Sequence, residues 1–274
     1  MSFPADSIHS QKLRPHKTAS LLQPELIIFD VDGVLVDVRG SFHRTTLETV
    51  KFFTGQRVTR AELHAWKNQS GFNDDWKLST AWVQSLGGKF EYEEVKSKFI
   101  ELYWGKHGRG NVSREKWLLP VAHLKRLAKR AELAIFTGRT RKELDHTLER
   151  CRVGRFFKSV ITVEDVSHPK PNPEGLQKIL KARDPRSAVY VGDNVDDALA
   201  SQSSGIPFIG IAFGRGAARR DRSGLLTRVG AQVVLTDVTK LENWLQAAQS
   251  AGPTPKAGYS PSTKQDKQPA STIV

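Results

Sequence analysis

Three aspartates fall within eight positions in "DVDGVLVD": Asp30, Asp32 and Asp37, directly after an apolar run that begins at Glu25 with "ELIIF". At ~4 Å and an effective dielectric near 20, each pair of like charges costs about 4 kcal/mol. A bound cation, a protonated carboxyl, or a loop that splays the side chains into water would offset that cost. Further chemistry-bearing residues recur beside other apolar runs: Thr137 ends "ELAIFT", Asp193 ends "AVYVGD", and Lys170 sits between two prolines in "HPKPNPEGL". Hydroxyl, ammonium and carboxylate groups brought to one place would suit transfer of an anionic group.

The elements that must position them are legible in the spacing. Short β-branched runs occur at "ELIIFDV", "ELAIFT", "SVIT", "AVYVGD", "PFIGIA" and "AQVVL", and helical spacing lies between most of them, as in Leu118, Val121, Leu124, Leu127 and Ala128. Such alternation predicts an α/β fold, a parallel sheet with helices on both faces. Ligands of open parallel sheets bind beyond the carboxyl ends of the strands, where Asp30, Asp32, Thr137 and Asp193 fall and which Lys170 can reach. The alternation breaks once. From Ser41 to Asn111 there are four amphipathic stretches and no strand, and Thr59 followed by Glu62 spells a capping box opening the second. The expected organisation is a leader at 1–24 without order, an α/β core at 25–40 and 112–249, a helical cap at 41–111, and a tail at 250–274, rich in Pro, Ser and Lys, also without order.

Composition narrows the partners. A chain of 274 residues can bury a substantial core, and its single cysteine, Cys151, rules out an internal disulfide and favours a reducing, cytoplasmic setting. No apolar stretch approaches the ~20 residues that span a bilayer. The net charge of +13 is dispersed over both termini and "RVGR", with one dense patch at residues 214–228. A solvated basic face is the favoured reading of that patch, ahead of a nucleic-acid or acidic-partner site. The sequence does not disclose an oligomeric state.

Four segments in order, "DVDGVLVD", "FTGR", the lysine of "KPNP" and "GDNVDDALA", resemble the signature motifs of the haloacid dehalogenase superfamily over about residues 25 to 240. The helical insertion is similar to the cap of its phosphoglycolate-phosphatase-like branch. The segments "DGVLVDVRGSFHRTTLETV" and "KNQSGFNDDW" look most like a small subgroup of predicted phosphatases. The resemblance implies a Rossmann-like core and a Mg²⁺-dependent hydrolase of a small phosphorylated metabolite, such as phosphoglycolate, histidinol phosphate or a sugar phosphate. It also implies roles: Asp30 as nucleophile forming an aspartyl phosphate, Asp32 as general acid and base, and Mg²⁺ on Asp30, the Asp32 carbonyl and Asp193. Thr137, the amides of Gly138 and Arg139, and Lys170 would bind the phosphoryl group, with Asp197 or Asp196 supporting the metal. Arg44, Lys67 and Asn73 are the cap's candidates for substrate selection, while Trp66, Trp76, Trp82 and Trp104 read as packing. A sugar-phosphate mutase on the same scaffold is the nearest rival, and a non-catalytic protein using the basic patch is another. Dehalogenation and phosphonate cleavage are disfavoured because neither needs the acid at position 32.

Overall fold

The computed structural model describes residues 23–72 and 74–250. The expected leader and tail therefore lie outside the described residues, apart from positions 23, 24 and 250, and so does Asn73. Six parallel strands form the central sheet: β1 (Leu26–Phe29), β4 (Glu132–Phe136), β5 (Phe157–Ile161), β6 (Ala188–Gly192), β7 (Phe208–Ile211) and β8 (Val233–Leu235), in the spatial order β5-β4-β1-β6-β7-β8. They are the six apolar runs of the sequence. Phe29 at the end of β1 is level with Ile135 on one side and Val191 on the other. The residues after these strands are thereby brought to one edge.

Period-two alternation assigns each strand residue to a face. Ile27 and Phe29 join a core with Leu124 of α5 (Val121–Ala128), Leu144 of α6 (Arg141–Cys151) and Leu241 of α10 (Leu241–Ser250). Leu26 and Ile28 join another with Leu176 of α7 (Glu174–Leu180), Ala198 of α8 (Val195–Ser204) and Leu226 of α9 (Gly216–Arg228). Each fully buried Leu, Ile or Phe contributes about 1.5–3 kcal/mol, so both faces are strongly specified.

The four amphipathic stretches are four helices: α1 (Phe42–Thr54), α2 (Arg60–Lys67), α3 (Asp75–Ser85) and α4 (Tyr92–Trp104). Thr59 and Glu62 form the expected reciprocal capping box. Val50, Leu63, Leu78, Trp82 and Val83 make a separate apolar cluster there, with Trp66 against it. The insertion is nevertheless continuous with the main core, because Phe42, Phe99 and Tyr103 pack into the sheet's own cluster. Both passages between insertion and core run through a ribbon that the periodicity does not announce, the antiparallel pair β2 (Val36–Asp37) and β3 (Lys116–Trp117). Two-residue strands are too short to leave a pattern. Asp37, the third aspartate of the opening cluster, lies in this ribbon and accepts from the backbone N–H and guanidinium of Arg39.

Candidate active site

The sheet's carboxyl edge gathers the predicted residues. Asp30 follows β1 and its N–H bonds the Val191 carbonyl of β6 at 2.8 Å; Thr137 follows β4 and bonds Ile161 of β5 at 3.0 Å. These extensions of the ladder fix both backbones. Gly33, at φ +75°, turns the chain back after Asp32 in the left-handed region that glycine adopts without penalty.

Lys170 is the hub of one half. Its buried ammonium donates to Asp30 Oδ1 at 2.9 Å, Asp197 Oδ1 at 2.7 Å, the Tyr190 hydroxyl at 2.9 Å and the Phe136 carbonyl at 3.3 Å. Burial alone would lower its pKa, but Asp197 and Asp30 outweigh that and hold it raised. Asp197 is fully buried and saturated: Tyr190 also donates to its Oδ1 at 2.7 Å, and the N–H groups of Asp193 and Asn194 donate to its Oδ2. It fixes Lys170 and the turn that carries Asp193. Burial, followed by the charges of Asp197, Asp32 and Asp193, pushes Asp30 well above the ordinary carboxylate range despite Lys170.

Asp32 faces a different cation. The Arg139 guanidinium donates to Asp32 Oδ1 from Nε at 2.8 Å and from a terminal nitrogen at 2.6 Å, while its other edge bonds Glu115 and Thr147. The Arg139 N–H, expected beside a phosphate, donates to Thr137 Oγ1 at 3.2 Å. Burial raises the Asp32 carboxyl, partly countered by Arg139. Gly138, between Thr137 and Arg139, is exposed.

Carboxylate oxygens of Asp30, Asp193 and Asp197 lie within 4.8 Å of one another and could hold a metal ion. Asp30 and Asp193 are the two carboxylates expected on the metal and Asp197 stands with them as the expected support, while the Asp32 carboxylate is turned to Arg139, which leaves its backbone carbonyl for the role expected of it. Burial pushes Asp193 up to about 6 even though Arg222 lies against it. An all-oxygen set in which burial disfavours the anionic forms of Asp30 and Asp193 suits a hard dication such as Mg²⁺. Asp196 is not part of that set: it accepts from Ser70 Oγ at 2.7 Å and from the Gly71 N–H, tying the loop between α2 and α3 to the core.

The cleft over these groups is walled by Phe42, Gly71, Asp74, Asp75, Trp76 and Lys77 of the insertion and, on the core side, by Glu143, Val163, Val166 and Pro169. Of the cap candidates, Lys67 is mostly buried and pairs with Asp75 at 2.9 Å beside Asp193 and Arg222. Arg44 is half exposed, bonded to Glu48 one turn along, and does not line the cleft. Trp76 is both packing and wall. The basic segment is helix α9; Arg215 and Arg220 are exposed, but Arg222 turns inward to Asp193 Oδ2 at 2.6 Å and to His64 Nδ1 at 3.2 Å. Sequence reasoning missed Arg222, Glu115 and Tyr190. Only Tyr190 carried a signal, a phenol in a fully buried strand that had to find a partner.

The family described as haloacid dehalogenase-like hydrolase matches residues 27–211. An imidazoleglycerol-phosphate dehydratase of Phytophthora nicotianae is 30% identical over 228 residues, covering 77% of this chain and 50% of that protein; the chain thus spans about half the length of this relative. A pyrophosphatase, PpaX, of Bacillus velezensis is 26% identical over 195 residues, covering 68% of this chain and 82% of that one. In fold, a predicted phosphoglycolate phosphatase of Haemophilus somnus superposes with a TM-score of 0.67 at 18% identity, covering 82% of this chain and 99% of the other.

Proposed function

Because this chain belongs to the haloacid dehalogenase-like hydrolase family, and its two leading aspartates face one cleft on different cations, we propose that it is a Mg²⁺-dependent phosphatase. Its substrate in this reading is a small phosphate monoester, and an aspartyl phosphate forms on the way. The observation that carries the reading is the contrast between Asp30, held by Lys170 at 2.9 Å, and Asp32, held by Arg139 at 2.6 Å. One carboxylate is kept at the phosphoryl position beside an ammonium, and the other is kept apart to move a proton.

Asp30 attacks phosphorus and expels the alcohol, while Asp32 gives the leaving oxygen its proton. Asp32 then takes a proton from water, whose oxygen attacks the aspartyl phosphate and releases phosphate and Asp30. Lys170 neutralises charge shared by Asp30 and the phosphoryl oxygens; the Thr137 hydroxyl and the exposed Gly138 amide supply further donors. A Mg²⁺ ion held by Asp30, Asp193 and the Asp32 carbonyl, with Asp197 behind them, would supply positive charge to the phosphoryl oxygens. Residues 41–111 act as the cap that selects substrate over a core at 25–40 and 112–249, and the free thiol of Cys151 supports a cytoplasmic setting. Phosphoglycolate, histidinol phosphate and sugar phosphates are the substrate classes to screen, with inorganic pyrophosphate added because a relative is a pyrophosphatase.

The test is release of inorganic phosphate from such a panel. Activity should vanish in chelator, return with Mg²⁺ and return poorly with Ca²⁺, and Asp30→Asn should abolish it. Full turnover in chelator, or by Asp30→Asn, overturns the reading. Isomerised sugar phosphate without net phosphate release would favour a mutase.

A further inference from the structure

The Asp32–Arg139 contact is one end of a larger buried network that the chemistry above does not use. Glu115, a fully buried carboxylate, accepts from Arg139 at 2.8 and 3.3 Å, from the Tyr103 hydroxyl at 3.0 Å, from Thr147 Oγ1 at 2.8 Å and from Ser41 Oγ at 3.3 Å. Arg150 stands 3.5 Å away. Every donor points at a residue that lies just before β3, where the chain returns from the helical insertion to the core. Ser41 is where the insertion begins and Tyr103 lies in the last turn of α4.

The way Arg139 holds Asp32 is unusual for a salt bridge. A guanidinium and a carboxylate commonly pair through both oxygens. Here Nε and a terminal nitrogen both bond Oδ1, and the Asp32 side chain keeps 32% of its surface exposed toward the cleft. Oδ1 is anchored, and Oδ2 is left to meet a leaving oxygen or a water. Such a grip orients Asp32 only if the guanidinium is itself immobile, and its opposite edge is clamped by Glu115 and Thr147 while Phe42 covers its face, with the ring centroid 5.1 Å away.

We propose that Glu115 and Arg139 are a positioning pair for Asp32, with Glu115 acting through Arg139 and tying the aim of the proton-transferring carboxyl to the seating of the helical insertion. The assignment rests on the phosphatase reading above and deepens it. Neither residue touches the phosphoryl group. Their loss should therefore fall on the step that needs Asp32's proton and spare steps that do not.

Release of the alcohol or phenol in the first turnover is measured on the full chain with Mg²⁺ alongside steady-state turnover, using glycerol phosphate as an alkyl ester and p-nitrophenyl phosphate as an aryl ester with a good leaving group. Glu115→Gln, which keeps shape but loosens the clamp, should lower kcat for the alkyl ester about 100-fold, the scale of a misplaced general acid. The first aryl step should change less than about 5-fold, and its slower second step should appear as a burst of released phenol. Arg139→Lys should repeat the pattern, since an ammonium keeps the charge without the fork. In an Asp32→Asn background, Glu115→Gln should add no further alkyl loss, because the two act as one unit. If Glu115→Gln fails to fold by circular dichroism, Thr147→Val, which removes one donor from the clamp, carries the same comparison and should show a smaller loss of the same kind. A wild type that releases no phosphate from either ester overturns the phosphatase reading and this assignment with it. An active wild type whose alkyl-to-aryl ratio in the first turnover is unchanged in the variants, or whose losses add fully to Asp32→Asn, overturns the positioning pair alone.

Discussion

Replacing Lys170 by methionine keeps an unbranched apolar stem of similar shape and removes the ammonium. That group lies 2.9 Å from Asp30 and 2.7 Å from Asp197, and the three side chains are 2%, 7% and 1% exposed. At ~2.8 Å and an effective dielectric near 20, each pairing is worth about 6 kcal/mol before desolvation. Breaking a buried pair by deleting one partner costs about 3–5 kcal/mol, because a carboxylate is left without compensation. A fold of this size loses roughly 2–4 °C per kcal/mol, so the melting temperature should fall by about 6–20 °C. The double variant Lys170→Met with Asp197→Asn removes one stranded carboxylate and should recover about half of that fall. It should not recover turnover, which depends on the charge beside Asp30. Thermal melts in chelator and phosphate-release rates read the two quantities separately. A melting temperature for Lys170→Met within about 2 °C of wild type, or a double variant less stable than the single one, would refute the claim that Lys170 is held in place by charge balance.

Gly33→Ala should reduce both stability, by about 1–3 kcal/mol, and activity: φ is +75° there, and an added Cβ would collide with Asp193 Oδ2 and lie 2.5 Å from its Cγ. Wild-type phosphate release by this variant would show that the turn can relax away from Asp193. Burial pushes Glu143, on the cleft wall, up to about 7, although Thr140 hydrogen bonds favour its charged form. Its raised pKa means that its contribution to stability is complete below the unfolded value near 4.5 and lost as pH rises through about 7. The fold should therefore lose about 3 kcal/mol across that window, and Glu143→Gln should flatten the pH dependence of the urea midpoint. Parallel profiles for the two proteins would exclude Glu143 as the source.

The strands, the helical insertion and most of the charged cleft could be read from the chain because each depends on local regularities. "ELIIFD", "ELAIFT" and "AVYVGD" are buried on both faces and so read as continuous apolar runs, and a polar residue that closes such a run must lie at the sheet edge. Thr59 and Glu62 are three residues apart, and their capping box follows from that spacing alone. Partner choice has no such local record. Arg139 follows Thr137 and Gly138 in a segment that predicts a phosphate contact for its N–H, yet that N–H is taken by Thr137 and its side chain reaches back 107 residues to Asp32. Arg222, within a basic stretch that reads as a solvated face, instead meets Asp193 because α9 packs beside β7 and turns that one arginine inward. Glu115 has no motif at all. A buried charge takes whichever opposite charge the packing leaves within reach, and that is decided by the placement of elements far apart in sequence, which only the tertiary structure fixes.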